Sequence, residues 1–199
     1  MCKTRLDMKG FNDMVGGYPR VDPSKGKKSI NDYSEYSRLL ACLIRDVRKD
    51  LSAPKLPFVV GVLGVGGEKV SENAVAFRDA MAAPAKMDEF KGNVANVFTE
   101  EYWPTELDDV LAKEMNVKKQ FTDKQNEIKK RQKEGENVRQ DQANLNKEIR
   151  ATIEKTLTED ELFLLDKGKS NQGFHYYGSA KFFGQIGKAF AETLVDLKK

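Results

Sequence analysis

The sequence predicts an α/β fold built on parallel strands, and three observations carry that expectation. Phe58-Val59-Val60-Gly61-Val62-Leu63-Gly64 is a short continuous apolar run, the pattern of a strand buried on both faces. Asn93-Val94-Ala95-Asn96-Val97-Phe98-Thr99 is a second such run, and the stretch between them reads as helical from about Glu72 to Phe90. Strand, helix and strand in that order imply a parallel pair joined by a right-handed crossover.

Upstream of the first strand, Leu39, Leu40, Leu43, Ile44, Val47 and Leu51 recur at helical spacing from Tyr36. This stripe leaves Arg45, Arg48, Lys49 and Asp50 outside, takes Cys42 into the core, and ends before Pro54 and Pro57. After the first strand comes Gly61-x-x-Gly64-x-Gly66-Gly67. Its spacing is not that of a dinucleotide-binding loop, and no acidic residue follows where a ribose would need one, so it reads as a tight strand-exit turn. Gly168-Lys169-Ser170 matches only the end of a phosphate-binding loop, because Phe163 stands where the earlier glycine is required.

The middle of the chain differs in composition. From about Leu107 to Lys155 it is rich in Lys, Glu, Gln and Asn, with sparse apolar positions such as Val138, Leu145, Ile149 and Ile153. Such a segment reads as a solvated helical arm or lid inserted at residues 107–155, with Gly135 breaking it into a helical hairpin. Thr158-x-x-Glu161 is a capping box that opens a short helix through Leu165, closed by Gly168. The last helix carries Ala180, Phe183, Ile186, Gly187, Phe190 and Leu194 on one face, a packing stripe.

Length and charge exclude several classes. The 199 residues fit one domain spanning residues 1–199 with the arm as an insertion. A net charge of +3 is too slight to argue for nucleic acid, and no stretch approaches the apolar length of a membrane span. The two cysteines, Cys2 and Cys42, form no metal-ligand spacing and suggest no disulfide framework. No metal or organic cofactor is expected. Met1 to Asp7 contain no hydrophobic signal region.

Two short blocks carry chemistry. His175 is the only histidine, and it lies in Ser170-Asn171-Gln172-Gly173-Phe174-His175-Tyr176-Tyr177-Gly178, a glycine-punctuated loop running into the last helix. An imidazole titrates near neutrality, so a loop histidine is a candidate general base; surface and capping roles are the bland alternative. Gly10-Phe11-Asn12-Asp13 places a side-chain amide after a glycine, a candidate donor to a developing oxyanion, although Asn and Asp also form ordinary turns.

These blocks, together with Asp32-Tyr33-Ser34-Glu35-Tyr36-Ser37-Arg38-Leu39-Leu40, Ile44 to Leu51, Pro57 to Gly67 and Phe77-Arg78-Asp79-Ala80-Met81-Ala82-Ala83-Pro84-Ala85, resemble the sialate O-acetylesterase branch of the SGNH (GDSL-like) hydrolases. The likeness runs from Gly10 almost to the end. It implies a three-layer α/β/α, flavodoxin-like fold and a serine esterase that removes acetyl groups from sialic acid or related sugars. The substrate would be an acetylated carbohydrate. By the resemblance, Asn12 belongs to the oxyanion-hole block and His175 is the base, with no cofactor. It also inclines to a secreted or periplasmic location.

The chain departs from the pattern in three places. The family nucleophile sits in a Gly-x-Ser turn well before the Gly-x-Asn-Asp block, whereas only nine residues precede Gly10, so the expectation is an SGNH fold incomplete at its amino terminus with no nucleophilic serine in this chain. Met8-Lys9 replaces an aromatic-Gln pair. Gln172 replaces the acid three residues before the histidine, and an amide orients an imidazole without stabilising its cation. The chain alone is therefore expected to be inactive or nearly so. A reading from another class is a non-enzymatic binding or scaffold protein whose 107–155 arm pairs with a partner helix through Leu145, Ile149 and Ile153.

Overall fold

The computed structural model describes residues 10–16 and 33–199; Cys2, Met8, Lys9 and Asp32 lie outside the described residues. The chain divides into two compact units, one ending at Trp103 and resuming at Asn171–Lys199, the other Pro104–Ser170.

In the first unit, β1 (Phe58–Val62) pairs in parallel with β2 (Val94–Phe98), Val60 opposite Asn96. The expected parallel pair is present. Helices α1 (Gly10–Gly16), α2 (Ser34–Asp50) and α3 (Glu72–Ala82) precede and link the strands, and α8 (Ala180–Asp196) closes the chain. Because strand side chains alternate, Val60 and Val94 enter one core with Tyr36, Leu40 and Ile44 of α2 and Phe77 and Ala80 of α3. Gly61 points the other way, toward α8, where the Phe190 ring lies so close that an added Cβ would stand 2.7 Å from it. Helices thus cover both faces of the small sheet.

Several local expectations are corrected. The helix from Glu72 ends at Ala82, not Phe90, because Pro84 has no amide hydrogen to continue it; two 3₁₀ turns, Ala83–Lys86 and Asp88–Phe90, follow. Arg48 is buried rather than outside. Its guanidinium donates to the Leu56 carbonyl at 2.8 Å and to Asn93 Oδ1 at 2.5 Å, and lies over the Phe90 ring. Leu51 falls beyond the end of α2 and is exposed, whereas Cys42 is buried as expected. On α8 the buried residue is Phe182; Ile186, Phe190 and Leu194 are half-buried, and Ala180, Phe183 and Gly187 are exposed.

The second unit has four helices: α4 (Thr105–Gln120), α5 (Thr122–Lys133) and α6 (Arg139–Thr156) where a hairpin was expected, and α7 (Glu159–Lys167), the short capped helix read from the sequence. Gly135 does break the segment, at φ +89°, and Phe121 makes a further break between α4 and α5. The sparse apolar residues are sufficient for a core of its own. Val110, Val117, Phe121, Ile128, Val138, Leu145, Ile149, Ile153, Leu157 and Leu165 are buried together. The arm is therefore a packed helical unit, and the face proposed for a partner helix is covered within it. The capping box is present: the Thr158 side chain accepts from the Glu161 backbone while Glu161 reaches back to Thr158. Helices dominate the described residues, among which the parallel pair is the sheet.

Candidate functional site

The loop that carries His175 docks at the carboxyl ends of the two strands, the end of a parallel sheet where open α/β folds bind ligands. Gly64 follows β1, and the chain leaving β2 passes so close that a Cβ on Gly64 would overlap the Thr99 carbonyl carbon and the Glu100 nitrogen. The glycine run is the tight exit turn read from the sequence: Gly67 N donates to Gly64 O at 2.9 Å, with φ of +88° and +67° at Gly66 and Gly67. Arg78 holds this turn from α3. Its buried guanidinium donates to Leu63 O at 2.7 Å and Val65 O at 3.2 Å, and stands 3.9 Å from Glu100.

The His175 loop is seated on this platform by its neighbour. Tyr176 and Tyr177 both adopt the left-handed region, φ +51° and +57°, a strained choice for aromatic residues that tight contacts must hold. The loop closes on itself through Asn171 N to Tyr177 O at 2.8 Å and Tyr177 N to Gln172 O at 3.0 Å. Tyr176 Oη accepts from Gly64 N at 3.0 Å and lies 3.3 Å from Thr99 Oγ1. Thr99 uses its own proton on Val62 O at 2.7 Å, so the phenol donates to Thr99. The Tyr176 ring stacks on Phe182 at 4.3 Å, and Trp103 packs on Tyr177 at 5.2 Å.

Asn12 arrives from the other side on α1. The carbonyl of Met14 accepts from Asn73 Nδ2 at 2.7 Å and from Tyr33 Oη at 3.0 Å, and the same phenol reaches Asn73 Oδ1 at 2.7 Å, so two side chains from different elements fix this short helix. Burial raises the Tyr33 phenol pKa above its usual 10.0; the Asn73 hydrogen bond opposes that shift and the nearby Asp13 charge adds to it. Asp13 is itself buried, while Asn12 is exposed.

These two elements bring the sequence-predicted residues together. A cavity of about 530 Å³ is lined by Gly10, Phe11, Asn12, Phe174 and His175. Its walls are aromatic, with Phe11 and Phe174 ring centroids 5.9 Å apart and Phe174 edge-on to His175 at 4.4 Å. No serine of the described residues lines it. Gln172, at the acid's expected position, gives His175 only a backbone contact, its carbonyl accepting from His175 N at 2.9 Å. The ring's partner is Asn171, with Oδ1 3.1 Å from Nδ1. An imidazole, a side-chain amide and an apolar wall can bind and polarise a small ester, with proton transfer at the ring.

Sequence reasoning missed Asn171, Tyr176 and Arg78. The first acts across a loop without periodicity, the second through a left-handed backbone, and the third as a charge buried on carbonyl oxygens. Among the described residues, no helix is long and apolar enough to cross a membrane, and no group of three His, Cys, Asp or Glu could hold a metal. No family model matches the chain, and no curated protein or solved structure is detectably similar to it.

Proposed function

We propose that the first unit carries the base and the oxyanion donor of a serine-type carbohydrate esterase, acting on O-acetyl groups of sialic acid or a related sugar, on a three-layer α/β/α fold of the SGNH kind. One observation carries the reading: Asn12 and His175, from opposite ends of the chain, line the same cavity. The resemblance of the surrounding sequence blocks supports the substrate class. The aromatic walls suit an acetyl methyl, and the position at the strand exits suits an α/β hydrolytic site.

In this reading a serine hydroxyl attacks the acetyl carbonyl while His175 takes its proton, and the same proton is returned to the departing sugar oxygen. The Asn12 amide N–H donates to the carbonyl oxygen as it becomes negative. The nucleophile comes from outside the described cavity lining.

The test is acetate release from O-acetylated sialic acid, measured for this chain and for the longest reading frame that contains it. The reading expects release from a form carrying a Gly-x-Ser turn, abolished in His175→Ala and lowered about 10²- to 10³-fold in Asn12→Ala, the usual cost of one oxyanion donor. Release that is indifferent to His175→Ala, or absent from every form, contradicts it.

A further inference from the structure

We infer that Asn171 is the positioning residue for His175, fixing the imidazole as its Nδ1–H tautomer and so making Nε2 the proton-accepting atom. The inference rests on the esterase reading for its catalytic meaning, while its geometric content stands by itself.

The tautomer follows from two contacts to one atom. Asn171 Oδ1 lies 2.8 Å from the backbone nitrogen of Gln172 and 3.1 Å from His175 Nδ1. A backbone N–H can only donate, so the amide atom facing it is the oxygen and not the nitrogen of the side chain. That oxygen has no proton to give. The ring nitrogen opposite it must therefore bear one, and a neutral imidazole carries a single N–H. Nε2 is left with its lone pair free.

The loop is built to hold this arrangement. Asn171 N donates to Tyr177 O at 2.8 Å, and His175 N donates to Gln172 O at 2.9 Å, so both partners are tied to the same turn by their backbones. Phe174 sets the ring from its edge at 4.4 Å. In a serine hydrolase the third group chooses the tautomer and stabilises the imidazolium. Asn171 supplies the choice of tautomer without the countercharge. This is how the chain manages with Gln172 where an acid is expected.

Because His175 is the only histidine, long-range ¹⁵N–¹H correlation of the labelled protein, recorded at alkaline pH where the ring signals no longer change with pH, reads the tautomer without assignment. The expected result is a protonated Nδ1 in the unsubstituted protein and in Asn171→Asp, which keeps the acceptor, with a shift in Asn171→Ala toward the Nε2–H form that a free side chain favours. Trp103 fluorescence, sensitive to the Tyr177 contact, shows whether the loop stays seated in each variant. An Nε2–H ring in the unsubstituted protein or in Asn171→Asp overturns the inference. So does Asn171→Ala with a seated loop and an unchanged Nδ1–H ring. Failure of the esterase reading would show separately, as an absence of acetate release with the tautomer as described.

Discussion

The Tyr176 hydroxyl stands 3.0 Å from the backbone nitrogen of Gly64, joining the loop that carries His175 to the turn that leaves β1. A loop near the chain's end thereby takes its position from the sheet, and His175 inherits that position through its immediate neighbour.

Tyr176→Phe removes this acceptor while retaining the ring stacked on Phe182. An unpartnered, part-buried N–H costs about 1–3 kcal/mol, and the expected outcome is a loss of that size in the first unit. Urea unfolding followed by the fluorescence of Trp103, the single tryptophan, measures it. An unchanged midpoint would mean that the phenol does not hold the loop.

Two glycines make opposite predictions. Gly64→Ala drives a Cβ into the backbone of Thr99 and Glu100, which cannot give way cheaply, and is expected to destabilise by about 3 kcal/mol or more. Gly184 is exposed on α8 with nothing within 4 Å of an added Cβ. Gly184→Ala is expected to stabilise by about 0.5–1 kcal/mol through helix propensity. Thermal unfolding of both variants checks the pair.

Tyr33 makes stability fall at high pH. Its folded pKa is raised, chiefly by burial, above the ordinary 10.0, so the folded state favours the neutral phenol. Below about pH 10 neither state is ionised and this contribution is fully present; above it the unfolded chain loses its proton first, and stability declines as pH rises through the folded value. Tyr33→Phe should flatten that alkaline limb, although it also forfeits the bond to Met14 O. Urea midpoints at intervals from pH 8 to pH 11 give the comparison.

The second unit rests on its own core. Ile149→Ala is expected to cost about 2–4 kcal/mol, as for other buried aliphatic truncations, whereas Phe163→Ala, at a residue 69% exposed, should change stability by less than about 0.5 kcal/mol. Far-UV circular dichroism during denaturation follows these helices. Equal effects would show that the apolar cluster does not hold the unit together.

The strands were legible because short valine-rich runs between turn residues have few other uses, and Val60, Val62, Val94 and Val97 are indeed buried. The Thr158 capping box was equally plain, since its two residues act locally. Arg48 was misread because charge on a helix normally faces water. Here it is satisfied by the Leu56 and Asn93 oxygens, which no periodicity reveals. The arm looked solvated because its apolar residues are few, yet over four helices they suffice to meet one another. On α8 the expected stripe keeps Ile186, Phe190 and Leu194 half-buried, but in its first turn the inward residue is Phe182, stacked on Tyr176, rather than Phe183. Asn12 and His175 were found from residue type alone, and their common cavity is a fact of tertiary structure. The Asn171 contact needs a turn with two left-handed residues, which the sequence does not announce.

The most direct test of the site is a titration of the protein with an O-acetylated sialic acid, watched through the carbon-bound protons of its one imidazole. The account predicts saturable shifts of the His175 signals that weaken in Asn12→Ala, with the deacetylated sugar producing much smaller ones. His175 signals that do not move, or that move alike with and without the acetyl group, would contradict it.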